Sequence, residues 1–141
     1  MGNEILLAED NPADIYLIQL ALRRHGVDNP VHVSTDGRDA LDAVTRHGAT
    51  GDALALIILD LNLPRHDGLE ILEHIRATKS LNQVPVVVLT SSDSPQDRRV
   101  ASELGATIYL RKPSCLEEFL GLGGLFQRLL IEPAAAKSTS C

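Results

Sequence analysis

Cysteine is scarce in this 141-residue chain: Cys115 and Cys141 are too few to frame a disulfide-stapled fold, and both read as plain thiols. No apolar stretch approaches the roughly 20 residues that cross a bilayer. The opening Met1-Gly2-Asn3-Glu4 also lacks the basic segment that begins a secretory signal. Together these absences lead to the expectation of a cytoplasmic protein with no membrane partner. Basic charge is in deficit too, since 13 Lys and Arg against 19 Asp and Glu leave a net charge of -6. Phosphate contacts to DNA or RNA demand a basic stripe, and none is found, so no nucleic-acid role is expected. The histidines, His25, His32, His47, His66 and His74, show no metal-ligand spacing.

Against these absences stand several short apolar runs, each ending in a chemically loaded residue. Ile5-Leu6-Leu7-Ala8 ends in Glu9-Asp10, Leu56-Ile57-Ile58-Leu59 in Asp60, and Val86-Val87-Val88-Leu89 in Thr90. A weaker run, Ile108-Tyr109-Leu110, leads into Arg111-Lys112-Pro113. The length suits one domain with a real core, placed at residues 1–133, followed by a short flexible tail at 134–141.

Segments of helical period separate the strand-like runs, which predicts an α/β sheet built from crossovers. Asn11-Pro12-Ala13-Asp14 reads as a helix start, with Asn11 capping, Pro12 in the first turn and Asp14 complementing the positive helix end. That helix carries Ile15, Ile18, Ala21 and Leu22 inward and stops near Gly26. A short strand at 31–33 precedes a helix expected to end near Gly48, with a solvated loop over 49–52. The run at 54–59 is apolar on both faces, as a central covered strand requires. Further helices are predicted from Asp67-Gly68, from Ser94-Pro95 and over about 114–132.

Five strands alternating with five helices make a doubly wound α/β fold, for which 2-1-3-4-5 is a common order of the parallel sheet. That order makes neighbours of Asp10, Asp60, Thr90 and Lys112 at the carboxyl ends of the strands, where such sheets bind ligands. Three carboxylates in one crevice need a positive partner, because like charges about 4 Å apart repel by roughly 4 kcal/mol at an effective dielectric near 20. Lys112 neutralises one charge, and the remaining excess suits Mg²⁺ with its oxygen ligands. Asp60, ending the central strand, is placed to act as a nucleophile towards phosphorus. Lys112 and Thr90 would then stabilise the phosphoryl oxygens.

These residues and their spacing resemble the receiver domain of two-component response regulators. The resemblance rests on Leu6-Leu7-Ala8-Glu9-Asp10-Asn11, on Asp60 through Gly68, on Val88-Leu89-Thr90-Ser91-Ser92 and on Tyr109-Leu110-Arg111-Lys112-Pro113, and it covers about residues 4–131. It implies a flavodoxin-like (βα)5 fold with Asp60 as phosphoacceptor. The metal ligands implied are Glu9, acting largely through water, Asp10, Asp60 and the Asn62 carbonyl. Thr90 and Lys112 correspond to the phosphoryl-binding hydroxyl and ammonium, Tyr109 to the switch aromatic, and Lys112-Pro113 to a peptide that is usually cis in the family. Asn62 and Ser92 match positions that tune dephosphorylation. The partner implied is a sensor histidine kinase, the output leaving through the face of helix 4, strand 5 and helix 5.

The resemblance extends to single-domain regulators that serve phytochrome-type kinases, and it implies a stand-alone phosphoacceptor rather than a turnover enzyme. The last helix departs from the pattern, with Gly121, Gly123 and Gly124 inside it and leucines spread around more than one face. That spread predicts a homodimer or a partner docking surface, and the glycines suggest close backbone packing. Three rivals are weaker. An aspartate-nucleophile phosphatase carries a second aspartate two residues on, where Asn62 stands. A phosphate-independent interaction module would have lost an acid, the hydroxyl or the lysine, and none is lost. A nucleotide-binding enzyme is disfavoured further, because no glycine-rich loop follows the first run.

Overall fold

The computed structural model describes residues 3–51 and 54–131. Its strands are β1 (Ile5–Ala8), β2 (Val31–Ser34), β3 (Leu56–Leu59), β4 (Val86–Thr90) and β5 (Ile108–Arg111). The helices between and after them are α1 (Pro12–Arg24), α2 (Gly37–Thr50), α3 (Gly68–Ala77), α4 (Pro95–Glu103) and α5 (Leu116–Ile131), with a 3-10 turn at Lys79–Leu81. All strand pairs are parallel and the order is β2-β1-β3-β4-β5, as the alternation predicts, with β3 in the middle.

Alternation of side chains along each strand divides the core into two layers. Leu6, Ala8, Ile57, Leu59, Val86 and Val88 pack with Ala40 and Val44 of α2 and with Leu72 and Ile75 of α3. Ile5, Leu7, Leu56, Ile58, Val87 and Leu89 pack with Ile18 and Leu22 of α1 and with Phe119 and Phe126 of α5. Each large side chain so buried stabilises the fold by about 1.5–3 kcal/mol relative to exposure. Both faces of β1, β3 and β4 are therefore dry, and only their carboxyl ends are left for chemistry.

Helix starts follow the caps visible in the sequence. Asn11 Oδ1 accepts from the amides of Ala13 (2.9 Å) and Asp14 (3.1 Å), and Asp36, Asp67 and Ser94 cap α2, α3 and α4 in the same way. The end of α2 differs from expectation: the helix runs through Gly48 and Ala49 to Thr50. One interior glycine costs only about 1 kcal/mol, and the left-handed residue that stops the helix is Gly51 at φ 76°, its amide on the His47 carbonyl. Near the end of α3, the half-buried Arg76 guanidinium donates to the carbonyls of Val84 (2.7 Å), Gly105 (2.9 Å), Asn82 (3.3 Å) and Leu81 (3.4 Å).

The Lys112–Pro113 peptide is trans, since no cis bond occurs among the described residues, and this corrects the expectation drawn from the family. Trans is the intrinsically favoured X–Pro isomer by about 0.5–1 kcal/mol. For α5, the broad apolar spread is mostly consumed internally: Phe119, Leu120, Phe126 and Leu129 are buried, and Leu122, Leu125 and Leu130 pack at the margin of that layer. Leu116 and Ile131, at its two ends, are the exposed large apolar residues of this helix. Close packing is realised at Gly123, where an added Cβ would strike the Ala21 carbonyl oxygen and the His25 ring, so α1 and α5 meet backbone to backbone. Gly121 faces open space. The tail at 134–141 and Cys141 lie outside the described residues, while Cys115 is a free, exposed thiol.

Candidate functional site

The sheet ladder itself positions the loaded residues. Glu9 and Asp60 each stand one residue past a strand, yet their amides still bond across the sheet, Glu9 to the Ser34 carbonyl (2.9 Å) and Asp60 to the Ala8 carbonyl (3.0 Å). Lys112 does the same one residue beyond β5, its amide 2.7 Å from the Thr90 carbonyl. Side chains at these positions are thus carried by the rigid sheet rather than by loose loops.

Lys112 sits at the centre of the cluster. Its Nζ lies 2.7 Å from Asp14 Oδ2, 2.9 Å from Glu9 Oε1 and 3.0 Å from Asp60 Oδ2, so three carboxylates share one ammonium. Burial disfavours the Lys112 charge, but the bonds from Asp14, Glu9 and Asp60 outweigh it and raise the pKa above its ordinary value. Glu9 is buried and its pKa rises to about 7: burial dominates and the Asp60 charge adds to it, while Lys112 and the Asn11 amide oppose. The second Glu9 oxygen accepts from the amides of Asp10 and Asn11, both at 3.1 Å.

The remaining members are close by. Asp60 Oδ1 accepts from the Asn62 amide at 3.1 Å, and Asn62 Nδ2 approaches Thr90 Oγ1 at 3.4 Å. The buried Thr90 hydroxyl also accepts from the Ser92 amide at 3.3 Å. Tyr109 is half-buried, its hydroxyl donating to the Ser92 carbonyl at 3.1 Å and the Arg98 guanidinium 4.6 Å from the ring centroid. His66 lines a cavity of about 430 Å³ with Asn62 and Asp97, beside the Asp60 loop.

Glu9, Asp10, Asp60, Asn62, Thr90 and Lys112 therefore fall in one region, at the carboxyl ends of β1, β3, β4 and β5, while Tyr109 stands within β5 and reaches that region through Ser92. Sequence reasoning missed Asp14 as a member, reading it as a helix-start charge. Its signal was the spacing, because the first turn of the helix that follows β1 must overhang the same crevice. Glu9, Asp10 and Asp60 each bring a carboxylate oxygen within 4.8 Å of the others. Three acids around one ammonium, with the Asp10 carboxylate beside them, leave an excess of negative charge on hard oxygen donors, which fits Mg²⁺.

Residues 5–121 match the response regulator receiver domain family. Response regulator Rcp1 of Synechocystis sp. is 34% identical over 137 residues, 93% of each chain. A phosphorylated cyanobacterial phytochrome response regulator, RcpA, superposes with a TM-score of 0.82 at 34% identity, over 95% of this chain and 97% of that one. The Mn²⁺-bound form of response regulator Rcp1 does so with a TM-score of 0.80 at 33% identity, over 92% and 95%. With the sheet order, the acidic cluster and these relatives agreeing along nearly the whole chain, the protein belongs to the response regulator receiver domain family of two-component signalling.

Proposed function

We propose that Asp60 accepts a phosphoryl group from the phosphohistidine of a sensor histidine kinase, and that this switches partner binding. The observation that carries the reading is the Asp60 carboxylate, buried at the end of the central strand and bonded to the ammonium of Lys112 at 3.0 Å. One Asp60 oxygen forms the new bond to phosphorus as the bond from phosphorus to the donor imidazole breaks, and the departing nitrogen takes up a proton. Lys112 draws negative charge from the phosphoryl oxygens. Thr90, which already accepts two N–H bonds, has its own proton to donate to one of them.

Glu9, Asp10, Asp60 and the Asn62 carbonyl are the groups to hold Mg²⁺, which supplies charge neutralisation for the carboxylates and the incoming phosphoryl group. Phosphorylation adds charge at Asp60, drawing Thr90 towards it and shifting Ser92, whose carbonyl holds Tyr109. The α4–β5–α5 face then changes partner affinity. Similarity to the phytochrome regulators supports a phytochrome-type kinase as donor, and a cytoplasmic setting suits that partner. No helix among the described residues is long and apolar enough to cross a membrane. The protein acts here as a phosphoacceptor, catalysing at most its own phosphorylation and dephosphorylation.

Incubation with Mg²⁺ and acetyl phosphate, followed by intact mass measurement, tests the reading. The wild type gains a phosphoryl adduct and Asp60→Asn does not; no adduct, or an equal one in the variant, overturns it. Solution mass with and without phosphorylation separates a homodimer built on α5 from docking of a different protein.

A further inference from the structure

Lys112 has one carboxylate partner that the phosphoryl and metal chemistry leaves unexplained. Asp14 makes the shortest of its three contacts, 2.7 Å, yet it stands outside the acidic set whose oxygens converge for a cation. Its backbone is fixed, because the Asp14 amide is one of the two that Asn11 caps. A carboxylate on a capped first turn is aimed more firmly than one on a loop. If Asp14 served only the helix dipole, its carboxylate would be as well placed in solvent. Instead it reaches from α1 to the residue after β5.

We propose that Asp14 is a positioning residue for Lys112: it holds the ammonium beside Asp60, so that Glu9 and Asp60 can turn to the cation and the phosphoryl group without releasing the lysine. The proposal rests on Asp60 being the phosphoacceptor. All three ammonium protons have a carboxylate to meet, which fixes the direction of each. Removing Asp14 leaves Lys112 tied only to the two groups that must change partners during phosphorylation. Its orientation is then lost at the moment when it is needed.

The test uses the full chain. In metal-free, ¹⁵N-labelled protein, the Lys112 ammonium gives a slowly exchanging ¹H–¹⁵N signal that Asp14→Asn broadens away and Asp14→Glu retains. With acetyl phosphate and saturating Mg²⁺, the phosphorylation rate falls about tenfold in Asp14→Asn, the scale of one charge-assisted hydrogen bond, and recovers in large part in Asp14→Glu. In a Lys112→Met background, Asp14→Asn lowers the rate no further. An unchanged Lys112 signal in Asp14→Asn overturns the proposal, as does a rate loss that persists without Lys112. Absence of a wild-type phosphoryl adduct would sink the Asp60 reading instead, and the Lys112 signal would still decide whether Asp14 holds the ammonium.

Discussion

Tyr109 donates its hydroxyl to the Ser92 carbonyl, and the amide of that same Ser92 donates to the Thr90 hydroxyl. A single residue thus joins the floor of the site to an aromatic ring on β5, with Arg98 of α4 lying over that ring. Two routes run from Thr90 to α4, both through Ser92: one uses Tyr109 and its contact with Arg98, the other the Ser92 hydroxyl bonded directly to Asp97.

Tyr109→Phe keeps the ring and deletes the bond to Ser92. Phosphorylation of Asp60 should proceed at close to the wild-type rate, because Tyr109 does not contact the reacting group in this structure. Amide chemical-shift changes across α4 on phosphorylation should shrink. Loss of a half-buried hydrogen bond should lower stability by about 0.5–1.5 kcal/mol in urea titration.

Two glycines of α5 should respond to alanine with opposite sign. At Gly123 a Cβ would meet the Ala21 carbonyl and the His25 ring, so Gly123→Ala should destabilise by about 1–3 kcal/mol through overpacking. At Gly121 a Cβ meets open space, and alanine should stabilise by about 0.5–1 kcal/mol. Thermal melts of the two variants read the contrast.

Mg²⁺ binding should strengthen as pH rises towards neutrality. In the metal-free fold Glu9 keeps its proton up to about pH 7 rather than its ordinary 4.5, chiefly because it is buried. A cation requires the carboxylate, so binding below about pH 7 releases this proton and apparent affinity falls by up to about tenfold per pH unit. The linked effect on folding follows: the native state holds more protons than the unfolded chain between 4.5 and about 7, so this group's stabilising contribution is full below that window and is lost as pH rises through it. Calorimetry in two buffers of different ionisation enthalpy measures the proton release.

Lys112→Met should leave three carboxylates facing one another. The metal-free variant should be destabilised at pH 7 and should regain part of the loss on adding Mg²⁺, which offers the missing positive charge. Urea titrations with and without Mg²⁺ check the sign.

The strand order and the site were legible in the sequence for a shared reason. Runs such as Leu56 to Leu59 are apolar on both faces and stop abruptly at a charged residue, so the strand, its burial and its chemistry are written in the same few positions. The Asn11 cap and the helix starts at Asp67 and Ser94 were equally local signals. Contacts that depend on how distant elements meet were harder to see. Asp14 and Lys112 lie 98 positions apart, and Arg76 reaches Gly105 across 29. The passage of α2 through Gly48 was missed because a helix-interior penalty of about 1 kcal/mol is small beside tertiary packing.

Arg76 also bears on what α4 can do. Its guanidinium ties the Gly105 carbonyl, just past the end of α4, to the turn that follows α3. At the opposite end, Ser94 and Asp97 hang on the Ser92 hydroxyl by single side-chain bonds of 3.3 and 2.7 Å. The helix is therefore held by a network at its end and by few bonds at its start, so a phosphorylation-driven shift of Ser92 should displace its first turn before its last.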